Sequence, residues 1–203
     1  MFHPGDLTTG PGSVARVIEV RRAGQRFHSA QPGIETWHSF SAGAHYDPDN
    51  VAFGPLVGVD EHHLTGGAGF DWHDHRGVVI VSYVLSGVLR HEDAAGMREI
   101  SAGATLVQSA DAVIRHAEGN AAMTEPLRFV QLTVLAGRGA RFDVCPTPCR
   151  IAEPGGYAFV AAGSAEAAGT RLAPGDEVRV SGEAVELTGE ATLLRWQFTE
   201  ASG

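Results

Sequence analysis

The sequence predicts an all-β chain built as two barrel-like units, the second shortened. Three observations predict it. Short apolar runs rich in Val, Ile, Leu and Phe recur along the chain, among them VVIVSYVL (78–85), VLRH (88–91), EVRV (177–180), AVEL (184–187) and TLLRWQF (192–198). Turn chemistry separates such runs, as in LSG, EDAAG, SAGA, APGD and LTGE, and few segments carry a helical period. The third observation is a weak internal repeat. Tyr83-Val-Leu-Ser-Gly87, a hairpin and Ile100-Ser-Ala-Gly103 form one copy. Phe159-Val-Ala-Ala-Gly163, a shorter hairpin and Leu172-Ala-Pro-Gly175-Asp176 form the other. The Pro-rich stretch at 145–148 is read as the boundary, which gives units over 1–140 and 141–203. The first dozen residues are rich in Gly and Pro and are expected to fray.

Composition narrows the function. A net charge of −9 with no basic cluster argues against direct nucleic-acid contact, which needs a basic footprint. All fifteen basic residues are arginine, so Schiff-base and lysine-nucleophile chemistry are excluded. The start of the chain lacks the basic end and apolar stretch of a signal peptide. The longest apolar run, 78–85, is too short to span a bilayer. A cytoplasmic protein without a membrane anchor is the expectation. The two cysteines, Cys145 and Cys149 in CPTPC, have no histidine near them in the following sequence. They read as thiols of a rigid linker, without redox or metal chemistry.

All ten histidines fall at or before His116, so an imidazole metal site belongs to the first unit. His73-Asp-His75 precedes an apolar strand. On a strand, residues i and i+2 share a face, and both rings can enter one barrel interior. His116-Ala-Glu118 has the same spacing. Three imidazoles and a carboxylate suit one first-row divalent metal, and an octahedral ion held this way keeps two open positions. His62 and His63 are neighbours and should face opposite ways. His38, His45 and His91 are isolated and read as surface or packing residues. His3 and His28 lie in irregular segments.

These residues carry a family resemblance. Gly67, separated from the HxH by five residues, followed by VVIVSYVLSG resembles the first cupin motif, and Gly103 through His116-Ala-Glu118-Gly-Asn120 resembles the second. More narrowly, H-x-H-R-G, YVLSG, H-x-D and the closing R-H-A-E-x-N resemble the pirin family. Trp37-His-Ser-Phe-Ser and Tyr46-Asp-Pro are similar to its bacterial branch. The resemblance covers about residues 15 to 135.

It implies a bicupin whose first barrel holds a metal on His73, His75, His116 and Glu118, and whose second barrel has none. Fe(II) is the expected ion, with Mn, Ni, Cu, Co or Zn as alternatives. Bacterial members resemble quercetin 2,3-dioxygenases, which open a flavonol ring with dioxygen. Nuclear members are redox-dependent co-regulators. The alternative function is therefore a metal- or redox-sensing protein that acts through a protein partner, as a monomer or homodimer.

In the enzyme reading, Glu118 takes the substrate's hydroxyl proton, and Phe70, Trp72 and Val79 are candidates to contact an aromatic ring. Ordinary core is the preferred reading of Trp72. Four positions depart from the family pattern: Asp74 replaces a proline, Val79 a glutamate, and Asp111 and Val113 glycines. Asp74 is expected to face away from the site. Val79 is expected to make the metal cavity more apolar.

Overall fold

The computed structural model of the protein describes residues 17–138 and 140–199. The N-terminal stretch expected to fray, and His3 within it, lie outside the described residues. Among the described residues there are seventeen strands, a single 3-10 turn at Ala23–Gln25 and no α-helix. No helix there is long and apolar enough to cross a membrane.

The chain opens on β1 (Val17–Arg21). It then lays down β2 (Phe27–Gln31), β3 (Ile34–His38), β4 (Leu56–Leu64), β5 (Gly69–His75), β6 (Val78–Ser86) and β7 (Val88–Asp93). There follow β8 (Gly96–Ser101), β9 (Thr105–Ala110), β10 (Ile114–Asn120) and β11 (Leu127–Leu135). The remainder comprises β12 (Ala140–Pro146), β13 (Cys149–Ile151), β14 (Gly155–Ala167), β15 (Thr170–Leu172), β16 (Glu177–Ser181) and β17 (Val185–Phe198).

The first unit is a sandwich. A six-stranded sheet, β2-β3-β4-β11-β6-β9, faces a four-stranded sheet, β5-β10-β7-β8. Ile34, Leu64, Val84, Leu89, Leu127 and Phe129 pack between them. His62 belongs to this layer. Its Nδ1 lies 2.8 Å from the Thr36 hydroxyl, and its ring sits between Phe70 and Phe129. His63 faces the other way, against Trp37 and Glu61, as the alternation of a strand requires.

The second unit is one curled sheet, ordered β1-β16-β14-β17-β12, with β13 beside β17 and β15 beside β14. β14 and β17 are its long spine. A bulge between Val160 and Ala162 changes which face of β14 points inward. Ala158, Val160, Ala165 and Ala167 thereby all reach one apolar interior, together with Leu172, Val178, Leu187 and Leu193.

The outer face of the six-stranded sheet is also buried. Leu56, Val59, Val81, Tyr83, Val130 and Leu132 pack on Tyr157, Phe159, Leu194 and Trp196 of the second unit. Each large side chain in such a layer contributes about 1.5–3 kcal/mol.

The internal repeat has a structural counterpart. In the first copy, Gly103 N donates to Val84 O at 2.8 Å and Val84 N to Ala104 O at 3.1 Å. In the second, Gly175 N donates to Val160 O at 2.9 Å and Val160 N to Asp176 O at 3.0 Å. Gly87 and Gly163 hold equivalent places, with φ of 82° and 79°.

Three expectations are corrected. CPTPC is not a linker, because both β12 and β13 pair with β17. The turn between them brings Cys145 and Cys149 to a Cα separation of 6.0 Å, where they are joined as a disulfide rather than left as thiols. Trp72 is not core, being 44% exposed. Val79 packs with the layer between the two units, on the opposite face of β6 from the metal cavity. It therefore does not shape that cavity.

Two outcomes follow from this packing. A Cβ at Gly163 would lie 2.0 Å from the Glu190 carbonyl oxygen, on a backbone in the left-handed region. Gly163→Ala should cost about 2 kcal/mol or more in urea unfolding. Burial lowers the pKa of His62 from 6.5 to about 4. The unfolded chain then takes up a proton that the folded chain refuses, so stability falls as pH drops from about 6.5 towards 4, by roughly 3 kcal/mol in all. His62→Gln should flatten the fall of melting temperature between pH 6.5 and 5. An unchanged slope would count against this assignment.

Candidate metal centre

The centre is built on the pairing of β5 with β10. His116 lies opposite His73, and Ile114 opposite His75. The register then slips: Glu118 lies opposite Phe70, so three steps on β5 match two on β10. The extra residue is a bulge at Asp71 and Trp72. It lets Phe70 face the sandwich core while His73 and His75 still point inward. On its other edge β10 pairs with β7, which sets His91 directly opposite Glu118. Gly69 lies where a Cβ would come within 2.7 Å of the Glu118 carbonyl oxygen, so a side chain there would push β5 away from β10.

The ligand nitrogens of His73, His75 and His116 lie within 4.8 Å of one another. His73 Nε2 and His116 Nε2 are 2.9 Å apart. The outer nitrogens of both rings have acceptors. His73 Nδ1 lies 2.7 Å from the Asp71 carbonyl, and His116 Nδ1 lies 2.9 Å from Gln108 Oε1. An oxygen acceptor requires each Nδ1 to carry the proton, so each Nε2 presents a lone pair. Two lone pairs then face each other at hydrogen-bond distance. His75 Nε2 is buried with no partner. A shared cation relieves both conditions, and these residues fit a divalent transition metal.

Electrostatics favour the neutral rings of His75 and His116, the form a metal requires of its ligands. Burial, then the neighbouring His73, His75 and His91, lower His116 to about 3. Burial and His73 also lower His75. Glu118 is pushed above the usual carboxylate range by burial, which outweighs the opposing effect of its hydrogen bond from Gln131. Gln131 Nε2 donates to Glu118 Oε2 at 2.9 Å, and the Ser82 hydroxyl donates to Oε1 at 3.4 Å.

The three predicted histidines therefore converge on one point. Glu118 is not part of that trio: its carboxylate forms a second cluster, with His116 and His91. His91, read from the sequence as an isolated packing residue, is fully buried, with Nε2 3.1 Å from His116 Nδ1. Its signal was the H-x-D of the family pattern, with nothing in the spacing to tie it to His116. Asp74 points away as expected, exposed beside Arg115. Asp111 is also exposed, bonded to Ser109, and Val113 is exposed. A cavity of about 280 Å³ lies on the outer face of the four-stranded sheet, lined in part by Trp72, Arg90, Glu92 and Ala117, and none of the three histidines lines it.

Comparison with known proteins identifies relatives of this chain. A Mycobacterium tuberculosis relative, named provisionally as a quercetin 2,3-dioxygenase, is 42% identical over 119 residues, covering 58% of this chain and 49% of the relative. The quercetin 2,3-dioxygenase of Escherichia coli K12 is 34% identical over 120 residues, covering 59% and 52%. The chain thus spans about half the length of the curated relatives it matches. Among solved structures, the bacterial pirin YhhW from Escherichia coli, in complex with nickel(II), superposes with a TM-score of 0.80 at 22% identity. That superposition covers 90% of this chain and 99% of YhhW, and it establishes a shared bicupin fold. The Pirin family model matches residues 18–134, more than half of the chain and all of the centre, and the chain belongs to the pirin family.

Proposed function

We propose that the protein holds one divalent transition metal, Fe(II) by preference, on His73, His75, His116 and Glu118, and uses it to open flavonol-type rings with dioxygen. The observation that supports this reading most strongly is the trio of imidazoles within 4.8 Å of one another, in which the Nε2 lone pairs of His73 and His116 face each other at 2.9 Å. The names of the relatives give the substrate class. When bound, such a metal supplies positive charge for a substrate oxyanion and the redox capacity that dioxygen chemistry needs.

The chain's own residues do the rest. The Asp71 carbonyl and Gln108 fix the tautomers and ring angles of His73 and His116. Glu118 receives the hydroxyl proton of the substrate. Burial raises its proton affinity for this purpose, and Gln131 and Ser82 hold it in place.

Elemental analysis of the purified chain should find about one metal ion per molecule. His116→Ala should reduce that content at least about tenfold; full retention would refute the site. Anaerobic loading with Fe(II), followed by quercetin and oxygen, should bleach the flavonol absorbance. Glu118→Gln should slow the bleaching about 10²-fold or more. Stoichiometric metal with an unchanged flavonol spectrum would leave the centre standing and refute the dioxygenase reading.

A further inference from the structure

Away from the metal centre, at the free edge of the six-stranded sheet, three side chains stand in line. Ser29 Oγ lies 3.0 Å from His38 Nε2, and His38 Nδ1 lies 2.7 Å from Asp60 Oδ1. They come from β2, β3 and β4, three adjacent strands. From this geometry we propose that Ser29, His38 and Asp60 form a nucleophilic site that cleaves small carboxylic esters.

The direction of the hydrogen bonds follows from the donors. An ionised carboxylate only accepts, so His38 Nδ1 carries the proton and donates to Asp60. When the ring is neutral, Nε2 is the acceptor and the Ser29 hydroxyl donates to it. This is the polarity a serine nucleophile needs: base beside the hydroxyl, and a third group orienting the base. The His38 side chain is 15% exposed and that of Asp60 24%, so the line is partly exposed to solvent. Phe27 and His45 stack at 5.3 Å beside His38 and form an aromatic flank for the acyl group.

An oxyanion donor is also at hand. β2 is an edge strand, and its hairpin to β3 closes with a two-residue turn at Pro32 and Gly33. Such a turn makes Gln31 and Ile34 a hydrogen-bonded pair, and by alternation Ser29 and Thr36 another. The N–H of Ala30, the residue after the nucleophile, then points off the free edge. Asp60 is the cross-strand partner of Gln131, so the line shares a sheet face with the metal centre. Among the described residues no hydrogen bond links Asp60 to that centre.

In the reaction, Ser29 Oγ bonds to the ester carbonyl carbon as its proton passes to His38 Nε2. The ester C–O bond breaks, and the leaving alkoxide takes that proton. Water then attacks the acyl-serine, giving a proton to His38, which returns it to Ser29 Oγ as the acid departs. Asp60 acts through His38 and is a positioning residue.

A fluorophosphonate probe tests the site on the full chain, with the modified residue located by peptide mass spectrometry. Adduct is expected on Ser29, at the same rate before and after metal chelation, and it should vanish in Ser29→Ala. His38→Gln should slow labelling about 10²-fold or more, and Asp60→Asn should slow it and shift its pH profile. Melting curves establish that each variant is folded. Ser29→Cys offers a second readout: its alkylation by iodoacetamide should be faster with His38 present than in the S29C/H38Q pair. No adduct at Ser29, an undiminished rate in His38→Gln, or labelling that depends on the metal would each overturn the proposal.

Discussion

The six-stranded sheet is buried on both faces, and the rest of the molecule is arranged around that fact. One face meets the four-stranded sheet; the other meets the second unit. A sheet covered on both sides reads as a near-continuous apolar run, and VVIVSYVL in β6 is such a run. Its alternate residues serve different neighbours. Ser82 turns to Glu118 in the metal centre, while Val79, Val81 and Tyr83 turn to the second unit. The second unit is therefore the back wall of the sheet whose Ser82 and Gln131 hydrogen-bond the metal-side carboxylate. Polar contacts key the two together: the Ser39 hydroxyl bonds to the buried Glu177, and the Arg179 guanidinium lies 4.4 Å from the Phe40 ring centre.

The two halves show how one β unit diverges. The same pair of backbone hydrogen bonds closes each copy, at Val84 and at Val160. In the first copy the hairpin between the glycine turns has arms of six residues, β7 and β8. β7 carries His91 and pairs with β10, which carries His116 and Glu118. In the second copy the corresponding hairpin pairs only three residues on each arm, at the end of β14 and in β15. A wall that short cannot support a facing ligand strand. Apolar side chains fill the interior instead, and the second copy has no histidine.

The chain by itself determined the all-β class, the duplication and the inward pairing of His73 with His75 and His116 with Glu118. Those features depend on local chemistry: turn residues, glycines with positive φ, and a two-residue strand period. Tertiary structure decided what depends on register and facing. The bulge at Asp71 and Trp72 is invisible to a regular alternation, and it is what aligns Phe70 with the core while keeping both histidines inward. It also leaves Trp72 exposed, where aromatic composition alone predicted burial. Val79 could be placed only once both faces of β6 were known to be covered. His91 and His38 read as isolated because their partners, Glu118 for the one and Ser29 and Asp60 for the other, are supplied by other strands, and strand pairing alone makes them neighbours. The disulfide between Cys145 and Cys149 belongs to the same class, since it forms where two strands return to one side of β17. Spacing along a strand is written in the chain; which strand lies alongside is set by the free energy of burying both faces at once.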